Sequence, residues 1–307
     1  MEGVMKNKIV VITGAASGQG KAEAILFAKL GCKVVICDIN LQPLKEVEYE
    51  IKQNGGNVKA YQLNVADKDA IKAFAKNVGN DIGMTDILIN NAGVGGSYPV
   101  THENDDEFEA NWSRQLAVNL TAQVRLIRAF IKPLTRQVGG RIINIASTEG
   151  TGATLFNGAY VAAKHGSVGL TKALSLELAP LGCTVNCVQP GPIRTGMTNP
   201  IPERQKNLYS KRLVPMRRYG LPEEIANVVA LIATPGTSFL NGAIIPVDGG
   251  LLANNALLPM RDWWIKKESK ILDSELKKFQ KTFPQTHRFI QKPLCLCRLF
   301  DGRCFDG

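Results

Sequence analysis

The chain is poor in cysteine and histidine, with seven and three of them among 307 residues. Seven thiols over that length do not make a disulfide framework. Cys32, Cys37, Cys183 and Cys187 lie in or beside apolar runs and read as buried thiols. Cys295, Cys297 and Cys304 gather near His287, but their spacing matches no standard zinc pattern, so no metal is expected. No apolar run approaches the roughly 20 residues of a transmembrane helix, and Met1 to Lys6 show no signal-peptide pattern. A soluble, cytoplasmic protein is the expectation. Zinc-finger spacing and aromatic RNA-binding motifs are also missing, so the net charge of +10 is not read as a nucleic-acid footprint. Much of that charge is local: from Leu251 onward eleven Lys or Arg face six Asp or Glu, a net of +5.

What is present is an ordinary globular composition, 45% hydrophobic and 21% charged, enough for one large core. The apolar run Ile9 to Ile12 reads as a buried parallel strand. It is followed by the turn Thr13-Gly14-Ala15-Ala16-Ser17-Gly18-Gln19-Gly20, a helical pattern through Leu30, and a second strand over Lys33 to Asp38. Strand, glycine turn, helix, strand is the first half of a dinucleotide-binding fold. The alternation continues with helices over Leu44 to Lys52, Lys68 to Val78, Trp112 to Phe130, Tyr160 to Leu178 and Glu223 to Ile232. Strands fall at Val58 to Leu63, Ile87 to Ile89, Arg141 to Ala146, Thr184 to Gln189 and Ala243 to Val247. The pattern predicts an α/β, Rossmann-type doubly wound parallel sheet of about seven strands, helices on both faces. It spans 1–250 as a single domain holding cofactor and catalytic site together. The remaining 251–307 form a basic C-terminal extension. Ile265, Leu272, Leu276, Phe279 and Phe283 suit one face of a helix there, and its last part is expected to be disordered.

Gly14, Gly18 and Gly20 let the backbone approach a pyrophosphate, and the helix that follows offers free N–H groups and positive dipole. Asp38 ends the second strand 18 residues after Gly20, where a carboxylate accepts hydrogen bonds from an adenosine ribose. A 2′-phosphate there meets like charge without a neighbouring arginine, and Ser17 stands where a basic residue would help. NAD(H) is therefore expected over NADP(H). Farther on, Tyr160 and Lys164 lie four apart on a helix, so an ammonium can sit beside a phenol and favour its ionised form. That moves a group of ordinary pKa about 10 toward a useful proton donor or acceptor.

These residues resemble the classical short-chain dehydrogenase/reductase family over about Lys6 to Gly250. The matching motifs are Thr13-Gly14 through Gly20, Asn90-Asn91-Ala92-Gly93, Asn119, Ser147, Tyr160-x-x-x-Lys164, and Pro190-Gly191 followed by Thr195. The resemblance implies that Tyr160 is the general acid or base, that Lys164 lowers its pKa and binds the nicotinamide ribose, and that Ser147 donates to the substrate oxygen. It implies that Asn119 holds a water in a proton relay. It implies further cofactor contacts at Gln19, Asn64, Val65, Asn91, Ala92, Gly93, Ile193 and Thr195. Asn64 stands where the family often has an aspartate. Relatives of this kind build tetramers, so a homotetramer is expected, although the basic extension is unusual.

The substrate is less defined. Residues 95–98, 149–156 and a lid over 196–218 should surround it, with Leu155, Phe156, Met197, Ile201 and Leu213 supplying apolar surface. A secondary alcohol and its ketone fit, cyclic or not, and Glu149 suits the second hydroxyl of a diol. A 3-oxoacyl thioester reductase working on acyl-carrier substrates is the nearest alternative, with Arg212, Arg217 and Arg218 near the lid to meet an acidic carrier. A non-catalytic NAD sensor or scaffold is the alternative of another class. Attachment of the basic tail to a membrane surface is compatible with any of these.

Overall fold

The computed structural model describes residues 4–253. The expectations for the extension, including its helix and Cys295, Cys297 and Cys304, lie outside the described residues. Seven parallel strands run β1 Ile9–Thr13, β2 Lys33–Asp38, β3 Asn57–Gln62, β4 Ile87–Asn90, β5 Gly140–Ile145, β6 Cys183–Pro190 and β7 Ile244–Val247. They pair in the order β3-β2-β1-β4-β5-β6-β7. The chain order reverses between β1 and β4, which opens a crevice beyond the carboxyl ends of those two strands.

The alternation of side chains along β1 divides the core. Val10 and Ile12 join Phe27, Leu44 and Val229 in one apolar layer. Ile9 and Val11 join Phe74, Leu126 and Phe130 in the other. Period-two geometry sends successive residues to opposite faces, so the sheet needs helices on both sides. The helices α1 Gly18–Lys29, α2 Leu41–Gln53 and α3 Lys68–Asp81 follow the first three strands. Truncating a fully buried anchor such as Phe27 or Phe130 to alanine would cost about 3–5 kcal/mol.

Two elements differ from the sequence expectation. The helix expected over Trp112 to Phe130 starts earlier and is interrupted. α4 spans Asp105–Leu116, a π-helical turn spans Ala117–Thr121, and α5 continues over Ala122–Thr135. The early start follows from an N-cap, Asn104, which accepts from the Glu107 N–H at 3.1 Å above an acidic first turn. The stretch 196–218 also contains a helix of its own, α7 Glu203–Leu213. Its buried face carries Lys206 and Ser210 in place of an apolar stripe, so periodicity does not reveal it. Between these lies α6 Gly158–Leu178, and α8 Pro222–Ala233 precedes the last strand. Among the described residues no helix is long and apolar enough to cross a membrane.

Candidate active site

The glycine turn after β1 is shaped by close approach. Gly14 and Gly18 adopt left-handed φ of 68° and 55°. A Cβ on Gly14 would meet Ala92 Cα at 2.7 Å, and one on Gly20 would meet the Gly14 carbonyl oxygen at 2.3 Å. Thr13 and Asn91 hold the turn against the end of β4: Thr13 Oγ1 accepts from the N–H groups of Asn91 and Ala92 at 3.1 and 3.0 Å, and Asn91 Nδ2 donates to the Thr13 carbonyl at 2.8 Å. α1 then begins behind Ser17 with no side-chain cap and no acidic residue in its first turn. Its leading N–H groups and dipole are left for an anion. The amide oxygen of Gln19 is buried and has no partner among the described residues.

A cavity of about 540 Å³ opens above this turn. Its walls include Gly14, Ser17, Gly18, Gln19, Asp38, Asn64, Val65, Asn91, Ala92, Gly93, Ser147, Tyr160, Lys164, Pro190, Gly191, Ile193, Thr195 and Met197. Gly20 lies beneath the turn, outside the lining, where its lack of a side chain makes room for the Gly14 carbonyl. Glu149 and Phe156, assigned to the substrate from sequence, are also outside that lining; Phe156 is 56% exposed. Val94, Arg114 and Val118 line the cavity without having been picked out by a motif. The residues present fit a dinucleotide: a glycine cradle that a Cβ would fill, an uncapped helix start for pyrophosphate, and a carboxylate at the far end. That carboxylate, Asp38, accepts from the N–H groups of Ala16 at 3.2 Å and Asn40 at 2.9 Å. Asn64 Oδ1 accepts from the Ala66 N–H at 3.0 Å, closing a local turn of its own.

Ser147, at the end of β5, accepts through Oγ from the Glu149 N–H at 3.2 Å, which leaves its proton free to face the cavity. Tyr160 stands in the first turn of α6, with Lys164 one turn farther on. The expectation that Lys164 draws the phenol down needs correction. Lys164 Nζ donates to the Ile145 carbonyl at 2.8 Å and lies 5.4 Å from the Tyr160 ring centroid. Burial pushes the phenol up to about 12; the Ser147 hydroxyl beside it acts in the opposite direction, and the Glu149 charge adds to the rise. Burial also pushes Lys164 down to about 8, against a smaller opposing effect from Cys187. The chain alone thus holds a protonated phenol, suited to giving a proton to a carbonyl oxygen.

Asn119 sits fully buried in the π turn. Its amide is closed on the backbone of Val94, accepting from the N–H at 2.9 Å and donating to the carbonyl at 2.9 Å. The side chain fixes the loop after Gly93. A second buried chain was missed from sequence: Asn90 Nδ2 donates to Asn144 Oδ1 at 2.8 Å, and Asn144 Nδ2 donates to Thr171 Oγ1 at 3.0 Å. It ties β4 to β5 and to α6. Its signal was available, since polar residues inside otherwise apolar strands demand partners.

A sequence model for the family described as enoyl-(acyl carrier protein) reductase matches residues 14–252. The 3-oxoacyl-[acyl-carrier-protein] reductase FabG of Thermotoga maritima is 35% identical over 248 residues, covering 81% of this chain and 99% of its own. Cyclohexanol dehydrogenase of an Acinetobacter species is 37% identical over 249 residues, covering 81% and 96%. Among solved structures, an actinorhodin polyketide ketoreductase with NADPH superposes with a TM-score of 0.74 at 32% identity, covering 82% of this chain and 99% of that one.

Proposed function

Because the chain belongs to the classical short-chain dehydrogenase/reductase family and is an oxidoreductase of that kind, using a nicotinamide cofactor, we propose that it interconverts a secondary alcohol and its ketone with NAD(H). The observation that carries this reading is the convergence of Ser147, Tyr160 and Lys164 on one wall of the cavity whose floor is the glycine turn. The bound cofactor would supply or accept the hydride. Tyr160 gives its phenolic proton to the substrate oxygen in reduction and takes it back in oxidation. Ser147 donates to the same oxygen and steadies the charge that develops there. Lys164, fixed to the Ile145 carbonyl, would hold the nicotinamide ribose. Met197 borders the substrate space from the lid side.

Asp38 supports NAD(H) over NADP(H). Its two carboxylate oxygens are held by backbone N–H groups, and a 2′-phosphate at that position would meet an oriented negative charge. The half-exposed sheet edge at β7 and the fully exposed Phe239 favour self-association, proposed as a homotetramer and checked by light scattering.

The test follows NADH and NADPH consumption by wild type and Tyr160→Phe over cyclic and acyclic ketones. NADH-dependent turnover that falls by about 10²- to 10⁴-fold in the variant is the expected result. Persisting turnover in Tyr160→Phe would remove Tyr160 as the proton donor. Similarity to the FabG enzymes favours a second reading, reduction of 3-oxoacyl thioesters on an acyl carrier. NADPH-dependent turnover of an acyl-carrier substrate would select it.

A further inference from the structure

Glu149 stands two residues past Ser147, in the short 3₁₀ turn Thr148–Gly150 that Ser147 caps. Its backbone N–H is bonded to Ser147 Oγ, so the two side chains leave one rigid turn. One carboxylate oxygen, Oε1, accepts from Thr154 Oγ1. The other, Oε2, is buried and has no partner among the described residues. The Glu149 carboxylate lies close enough to the Tyr160 phenol and to the Tyr209 phenol of α7 for its charge to raise both. Met197, on the cavity wall, is apolar. A buried carboxylate oxygen with no donor is costly to leave unmet, and a ligand that brings a donor removes that cost.

We propose that Glu149 is a specificity-determining residue that accepts a hydrogen bond from a second substrate hydroxyl, carried on the carbon next to the one that reacts. The favoured substrates are therefore vicinal diols and the corresponding α-hydroxyketones. The second hydroxyl keeps its proton and is not oxidised; it orients the first toward Ser147 and Tyr160. This inference rests on the alcohol–ketone reading above.

The test compares kcat/KM for cyclohexane-1,2-diol, both isomers, with that for cyclohexanol in the presence of NAD. Wild type should prefer a diol, and Glu149→Ala should lower the diol-to-monool ratio by about 10- to 100-fold, as loss of a hydrogen bond to a charged group implies. Glu149→Gln, which keeps an acceptor oxygen in the same space, should fall between and guards against misfolding of the alanine variant. An unchanged ratio in both variants overturns the inference. If wild type oxidises neither alcohol, the alcohol–ketone reading fails by itself, and diol binding is then read by calorimetry on the enzyme with NADH. Binding that weakens in Glu149→Ala supports the assignment, whereas equal binding, or none in wild type, overturns it.

Discussion

The Lys164 ammonium is tied to the carbonyl of Ile145, the last residue of β5, at 2.8 Å. The helix that carries Tyr160 is thereby fastened to the strand end that carries Ser147, and one lysine sets the spacing of the two groups that meet a substrate oxygen. That position is costly, because Lys164 is almost fully buried and burial lowers it from 10.5 to about 8. The cost is present in full below the folded value, shrinks between the two values, and is gone above 10.5, where neither state is charged.

Lys164→Met should therefore stabilise the cofactor-free chain by about 1–3 kcal/mol near neutral pH, a gain that fades toward about pH 10.5, while turnover is lost. Urea unfolding near neutrality and again at alkaline pH reads the difference. A variant less stable than wild type at neutrality would mean that the bond to Ile145 outweighs the desolvation.

Gly20→Ala should weaken NADH binding by at least about 10-fold and lower stability by roughly 1–3 kcal/mol, since the new Cβ has no space beside the Gly14 carbonyl and Asn91. Gly79→Ala, within α3, is the control: nothing lies within 4 Å of its Cβ position. It should be neutral or stabilise by about 0.4–1 kcal/mol through the unfolded state. Fluorescence titration with NADH and thermal melts of both variants separate a cradle lost to crowding from a general intolerance of alanine.

Asp38→Ala should shift the ratio of NADPH to NADH affinity upward by about 10- to 100-fold, as a like charge is removed and a ribose hydrogen bond is lost. Titration with each reduced cofactor measures it without any substrate. If wild type binds both equally, and the variant does too, Asp38 is only the turn residue that its bonds to Ala16 and Asn40 already make it.

The strands were legible because buried parallel strands are near-continuous apolar runs, and every strand found lies within a residue or two of its sequence-derived bounds. The glycine turn was legible for a related reason, since φ above zero and close approach select one residue type. The interruption at Ala117–Thr121 was not, because a π turn is a choice of hydrogen-bond register that leaves no mark on side-chain periodicity. α7 escaped because Lys206 and Ser210 occupy its inner face. The pairing of Lys164 with Ile145 was hidden by the helix itself: four-residue spacing brings two side chains to one face, but a strand carbonyl below them competes for the ammonium.

Glu23 gives the sharpest pH test. It lies in the α1 run that reads as plain apolar helix, yet it is fully buried and neither carboxylate oxygen has a partner among the described residues. Burial pushes its carboxyl well above the ordinary carboxylate range. At acid pH both folded and unfolded chains hold the proton. As the pH rises past the unfolded value, the unfolded chain releases it first, so the stability of the fold falls with rising pH on account of this residue. Glu23→Leu removes both the titration and the unmet polar atoms. It should stabilise the protein by about 1–3 kcal/mol near pH 8 and by clearly less near pH 4.5. Denaturant unfolding of wild type and variant at the two pH values measures the difference. A gain independent of pH would show that Glu23 does not change protonation on folding, and a loss at both values would show that its carboxyl fills space that leucine cannot.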